Sequence, residues 1–297
     1  MAKYELTAET VSHLGHTLRR IRATTDFGKV KKGDQGGFVQ AENNLSQDGE
    51  AWIADEAKVF MNAVVSENAL ISDAATVYGS ARVHGAARIC GNTRIGEEAE
   101  IYRNARICDH AEVGGNAKVY GDVVISQNAR ISGKAKVTEK ARVSGDAQLY
   151  HHAWAHGSAL VRGHARIHDY AHISQNAQVS GSAEIYGNAA IYGNARVLGT
   201  AKIFGHAAIF GDARVSRPIP MTVRSDGETF SLVATPEGPR VIGDYEYLDF
   251  GQSREYWTEN ADGETLRAET LAIIDHFERI APILGIDKPV APELGAD

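Results

Sequence analysis

From Ala51 the chain repeats a six-residue pattern of apolar and polar positions without one insertion, 27 full blocks reaching Asp212 before a last ARVS. Block position 1 is Ala in 25 of the 27, with Thr93 and Val123 departing, and position 3 is Val or Ile in 25, with Leu149 and Ala155 departing. Residues two apart share one side of a strand, so positions 1 and 3 point inward together. Positions 2 and 4 then point outward, and they carry Arg, Lys, Glu, Ser and Tyr. Position 5 is Gly in 15 blocks and position 6 is often Asn, Asp, Ser or His. These residues tolerate positive φ, so each block ends in a corner. A flat side plus a corner, repeated, predicts a polygonal coil of parallel strands over 51–216, its interior packed with Ala, Val and Ile and without a ligand cavity.

The pattern stops at both ends. Residues 1–50 offer strand-like KYELT and TLRRIRA, a Gly-rich GDQGGF and the lead-in NNLS. They are expected to cap the first open edge and cover Trp52, Phe60, Val64 and Leu70, outward residues that are unusually apolar. All seven prolines lie at or after Pro218, and RPIP ends the ladder there. Beyond it, 217–297 predicts a hairpin around Asp226-Gly227, one strand in VIGDYEYLDF, and a helix over 263–284. That helix carries Leu266, Ile273, Phe277, Ile280 and Leu284 on one stripe and stops at Gly285. The module is expected to fold onto Leu198, Phe204, Ala208 and Phe210. The competing expectation is that these four form an oligomer contact.

Charge and composition narrow the function classes. From Arg217 onward there are 7 basic and 16 acidic residues, while the stretch up to Ser216 carries a net +2. A near-neutral body with an acidic end lacks the concentrated basic face that nucleic acid requires. No apolar run suggests a signal peptide or a membrane span, and with two cysteines a reduced, cytoplasmic chain is expected. Cys90 and Cys108 lie three blocks apart on one outward column, about 4.8 Å between Cα atoms. That is close enough for a disulfide, but free thiols are the expectation in a reducing compartment.

Candidate chemistry lies outside the coil. Six of the twelve histidines fall between His151 and His172, and none of the repeat's histidines occupies an inward position. Read at a spacing of three blocks, His164 stacks on Asp146 and His151 on Asp169. A carboxylate beside a histidine fixes its tautomer and raises its basicity, as a general base requires. Corners favour Asp, Asn and His in any case, so such pairs also arise without purpose. Trp154, beside the densest histidine stretch, is a candidate contact for the pantetheine arm of a cofactor. Tyr102 over Tyr120, and Tyr150, His168, Tyr186 and Phe204, are expected as aromatic columns that sheet packing alone explains.

The repeat resembles the hexapeptide-repeat left-handed parallel β-helix, three-sided with three blocks to each coil; the resemblance supplies the polygon and the hand. The whole arrangement, with GDQGGF, NNLS and the Asp-Gly module, is similar to the YdcK-like uncharacterised acetyltransferase-related proteins of bacteria. The resemblance implies a homotrimer, acyl-CoA or an acyl-carrier protein in the groove between prisms, and a histidine that deprotonates a hydroxyl or amine acceptor. One departure stands against catalysis: no loop protrudes from a coil to shape a site. A non-catalytic scaffold is the alternative. A γ-carbonic-anhydrase-like metal site is the third reading, and its spacing from His110 falls on Asp146 and His151, leaving the three-histidine set incomplete. Placed instead on His151 and His156, it needs a histidine where Gly115 stands.

Overall fold

The computed structural model describes residues 2–287. The chain forms two compact units, Met1–Gly157 and Ser158–Asp297.

In the first unit every block from Ala51 contributes a short strand, and each strand from Trp52 to Lys136 pairs in parallel with the strand three blocks on. Lys58 lies beside Thr76, Arg88 beside Arg106 and Lys118 beside Lys136. Three sheets result, one per side of the coil, as the three-block period requires. The inward Ala, Val and Ile side chains have no exposed surface beyond about a hundredth. The pattern's exceptions fit locally. Thr93 is buried and its hydroxyl donates to the Cys90 carbonyl, 2.5 Å away. Leu149 and Ala155 are six apart, so a larger and a smaller side chain sit on adjacent sides of one coil and conserve its volume.

The corners explain themselves by hydrogen bonding. Position 5 has positive φ even where it is not glycine, as at Asp73 (+56°) and Asp109 (+64°). Such a corner is strained for a side chain. Where the corner residue is acidic or an amide, its side chain accepts the N–H of the corner one coil on. Asp73 accepts from Gly91 at 2.8 Å, Asp109 from Gln127 at 2.9 Å and Gln127 from Gly145 at 2.6 Å. These bonds satisfy a backbone donor at each corner.

Residues 2–50 lie against the first coils. Strands β1 (Tyr4–His13) and β2 (His16–Ala23) form an antiparallel hairpin, and β3 (Gln35–Val39) passes from β2 to a parallel pairing with Lys58–Val59. Phe60 is buried against Leu18 and Phe38, and Trp52 lies edge-on to Phe27 at 5.5 Å. Val64 and Leu70 are half-buried.

One expectation is overturned here: Cys90 and Cys108 are joined in a disulfide, with Cα atoms 4.6 Å apart. In-register coils hold the two side chains parallel on one outward face, so geometry brings the sulfurs together without backbone movement.

The second unit continues the same repeat from Ser158, with Arg166 beside Glu184 and Glu184 beside Lys202. Its last coil strand meets an antiparallel strand, Arg214 opposite Ala234, so the open edge is covered by the C-terminal module. The hairpin around Asp226-Gly227 is present, Met221–Val223 pairing with Thr229–Thr235. The segment expected as one strand is a second hairpin: Gly238–Gly243 and Glu246–Leu248 reverse at Asp244 and Tyr245, both at positive φ. Two consecutive positive-φ residues make the turn whose twist suits a hairpin, but Asp-Tyr lacks the glycine that signals it.

Helix α1 (Phe250–Asn260) has no counterpart in the sequence expectations: its sequence is largely polar, only Ser253 and Trp257 are buried, and Asp249 caps it through Gln252 N–H at 2.8 Å. Helix α2 (Glu264–Ile280) buries Ile273, Ile274 and Phe277, and it ends before Leu284, which is exposed. Both helices close over Phe230, Leu232 and Val241. Of the coil residues expected beneath the module, Leu198 and Ala208 are half-buried and Phe210 meets Tyr247 at 5.5 Å. Phe204 stays 43% exposed and is not covered. Deleting residues 217–297 is expected to expose Phe210 and the Arg214–Val215 ladder edge, and the truncated chain should aggregate in light scattering. A soluble, monodisperse truncation would contradict the capping role.

Candidate functional site

The coil interior offers no chemistry. Among its described inward residues the buried polar side chain is Thr93, which is neither an acid nor a base near neutrality. Any reactive group therefore stands on the outside.

Of the residues singled out in sequence, Asp146 and His151 lie in the first unit and His164 and Asp169 in the second. Each expected dyad thus takes one member from each unit. Asp146 accepts a hydrogen bond from Asn128 Nδ2 at 2.9 Å. His151 occupies an exposed corner at φ +56° and lies edge-on to Tyr150 at 4.9 Å. His164 is an exposed corner residue whose backbone N–H donates to Gly181 O at 2.7 Å. Asp169 accepts from Gly187 N–H at 3.2 Å and approaches His168 Nδ1 at 3.3 Å. It does at its corner what Asp73 and Asp109 do at theirs, and that accounts for its residue type. Trp154 is half-buried: its Nε1 donates to Thr138 Oγ1 at 3.1 Å and its ring packs on His156 at 4.3 Å. Burial pushes the His156 imidazole down, against an opposing pull from Glu139.

Two histidine–carboxylate constellations lie outside the pairs that sequence spacing selects. His84 stacks on Tyr102 at 5.1 Å, and its ring nitrogens lie 3.4 Å from Glu67 and 3.6 Å from Glu100. His168 stacks on Tyr186 at 5.2 Å, with Asp169 at 3.3 Å and Glu184 at 3.6 Å. The Lys118 ammonium, 2.9 Å from Glu100, holds that carboxyl below its usual range, and Lys202 does the same to Glu184. The signal that finds them is the shared spacing His-x15-Glu-x-Tyr, which one coil's register turns into a stack. His84 Nε2 and both nitrogens of His168 are shielded from solvent. A shielded nitrogen cannot take a proton from a substrate. These are packing columns, so His84→Ala is expected to lower stability by about 1 kcal/mol through the lost ring contact. Chemical denaturation would read the loss, and an unchanged midpoint would deny the column a structural role.

An accessible histidine in a concavity does exist in the first unit. Gly91, Asn92, Asp109, His110, Gln127, Asn128, Gly145 and Asp146 line an open corner groove of about 630 Å³. His110 is exposed, and its Nε2 lies 3.4 Å from Asn92 Nδ2. Asn92 is an uncharged neighbour of the ring, Asn128 one coil on is bonded to Asp146, and Asp109 and Asp146 border the groove. On the adjoining side of the same coils Arg88, Asn104, Arg106 and Asp122 line a second groove of about 400 Å³. Arg88 and Arg106 are register neighbours, two like charges one coil apart. Sequence alone marks His110 only as a metal ligand, since its neighbours one coil away, Asn92 and Asn128, are amides and not acids.

A concavity of about 550 Å³ in the second unit is acidic, lined by Asp226, Glu228, Asp244 and Asp262 with Tyr192 and His206. Arg224 there is tied to Asp226 at 2.7 Å. The acidic lining disfavours an anionic ligand.

A scan against protein-family models finds no match, and a search of curated proteins finds no relative. Among solved structures the chain is similar to a UDP-N-acetylglucosamine acyltransferase from Francisella novicida, at 15% identity and a TM-score of 0.48, over 76% of this chain and 90% of that one. At that identity the likeness carries neither activity nor site residue across to this chain.

Proposed function

We propose that the protein transfers an acyl group from a thioester donor of the acyl-CoA type to a hydroxyl or amine, in the corner groove around His110. The observation that carries this reading is an exposed histidine, bonded to an amide, in an open groove beside an arginine pair. The resemblance of the repeat and its flanks to acetyltransferase-related proteins supports it, and implies a homotrimer. His110 accepts the proton of the acceptor as its oxygen or nitrogen attacks the thioester carbonyl. The carbon–sulfur bond then breaks, and the departing thiolate takes that proton from His110. Arg88 and Arg106 hold the donor's phosphates, for which paired guanidiniums are suited. His151 and His164, both exposed corner residues, are the alternative bases.

The unbroken run of blocks from Ala51, with no loop shaping a pocket, favours a second reading, a scaffold without catalysis. Calorimetry of the purified chain with acetyl-CoA and with free CoA separates the two. Binding at micromolar to submillimolar concentration, weakened in Arg88→Gln/Arg106→Gln, is the expected result. No heat at millimolar donor would give the scaffold reading the lead.

A further inference from the structure

We propose that Cys90 and Cys108 form a reversible dithiol–disulfide site that exchanges with small anionic thiols and their disulfides. The inference stands whether or not the chain transfers acyl groups.

Three observations carry it. The pair is half-exposed on an outward face, so an attacking thiolate has access. The coils on either side are joined independently of the bond: Cys90 N–H donates to Ile107 O at 2.9 Å and Cys108 N–H to Ile125 O at 3.0 Å. The inward neighbours Ile89 and Ile107 are fully buried. Reduction therefore leaves the backbone and the core as they are, with the thiols still facing each other one coil apart. Third, Arg88 precedes Cys90 by two residues and Arg106 precedes Cys108 by two. Both guanidinium stems thus leave the same face, about 6.6 Å along the strand from the sulfurs. Asp73 and Asp109, the acids at the neighbouring corner, are engaged with backbone N–H groups.

Arginine beside a thiol favours the thiolate, which is both the nucleophile and the leaving group of exchange. The same two cations attract a carboxylate-bearing thiol to the face that carries the pair. In reduction, a thiolate attacks one cysteine sulfur. The Cys–Cys bond breaks, a mixed disulfide forms, and the other cysteine leaves as thiolate. A second small thiolate attacks the mixed disulfide at the small thiol's sulfur, releasing the small disulfide and the second cysteine thiolate. The two protons of the small thiols end on the two cysteines. Oxidation is the reverse.

The test uses the full chain, reduced and then freed of reductant, with oxidised glutathione as the anionic probe and cystamine as the cationic one. Thiol blocking and intact mass follow the pair, and circular dichroism follows the fold. The reduced chain should keep its dichroism spectrum and be re-oxidised by glutathione through a mixed disulfide. In Arg88→Gln/Arg106→Gln the glutathione rate should fall about tenfold while the cystamine rate does not fall. A glutathione rate indifferent to the arginines would overturn the proposed site. So would a reduced chain that loses its dichroism spectrum, because the bond would then be a structural staple.

Discussion

Val143→Asp is expected to cost the fold about 4 kcal/mol or more, since it places an unpaired carboxylate in a dry interior. Val143 has no exposed surface, and neither do its strand partner Ile125 and the inward Ala141 on the same side of the coil. The site holds no donor for a carboxylate and no room for water. The new group has two unfavourable choices: to stay ionised without a partner, or to bind a proton and bury an unsatisfied hydroxyl. Burial raises the acid's folded-state pKa above its unfolded value, so the loss grows as pH rises through neutrality and shrinks in acid. Val143→Ala is the control, since it loses only apolar contact and leaves a small cavity, for roughly 1–3 kcal/mol. Urea unfolding followed by circular dichroism would rank the two. A Val143→Asp chain melting within a degree or two of the parent would show that the inward face is wrongly assigned.

His110→Ala is expected to lower acyl-transfer rate by about 10²–10⁴, the range that removal of a general base costs. The assay needs an acceptor, so a panel of sugars and amines with acetyl-CoA comes first. The same substitution at His168 is the comparison: its nitrogens are shielded, so its loss should reduce stability and leave turnover per folded molecule within a few-fold. His151→Ala and His164→Ala complete the set. Retention of full activity in His110→Ala, with a large loss in one of those two, would move the base to that corner. Equal, modest losses in all four would deny any of them the role.

Much of this is legible in the sequence because the information is local. A period of six, with Ala at position 1 and Val or Ile at position 3, dictates which side chains go in, and parallel register follows from stacking identical coils. The boundaries are legible too: proline deletes a ladder donor, so RPIP marks where the ladder stops. The apolar outward residues Phe60 and Trp52 announce a cap because water-exposed aromatics on a strand face call for cover. The hairpin at Asp226-Gly227 is readable from one dipeptide. The turn at Asp244-Tyr245 is not, because its conformation is imposed by the strands it joins. Helix α1 escapes for a related reason: with only Ser253 and Trp257 buried, it shows no stripe, and tertiary packing of Trp257 holds it.

The candidate site is much less legible, and the corners show why. A three-block spacing puts residues in one column, but it does not say what each side chain bonds. That spacing selects Asp169 by its column alone, and its carboxylate also closes a corner N–H, the task that any acid at position 5 performs when φ is positive. His84 and His168 have the carboxylates a base requires, but only the structure reveals that they stack on Tyr102 and Tyr186 with His84 Nε2 and both His168 nitrogens shielded. His110 has amide neighbours that no acid-seeking pattern would select, and it stands exposed in a groove. The expectation of thiols at Cys90 and Cys108 comes from the compartment, a property outside the chain, whereas the ladder sets the distance between them. The linear pattern therefore suffices for the coil, its inward face and its ends, because hydrophobic period and backbone pairing act between near neighbours. Which outward groups are bonded, shielded or open is settled only on folding, because it depends on side chains a whole coil apart meeting at about 4–5 Å.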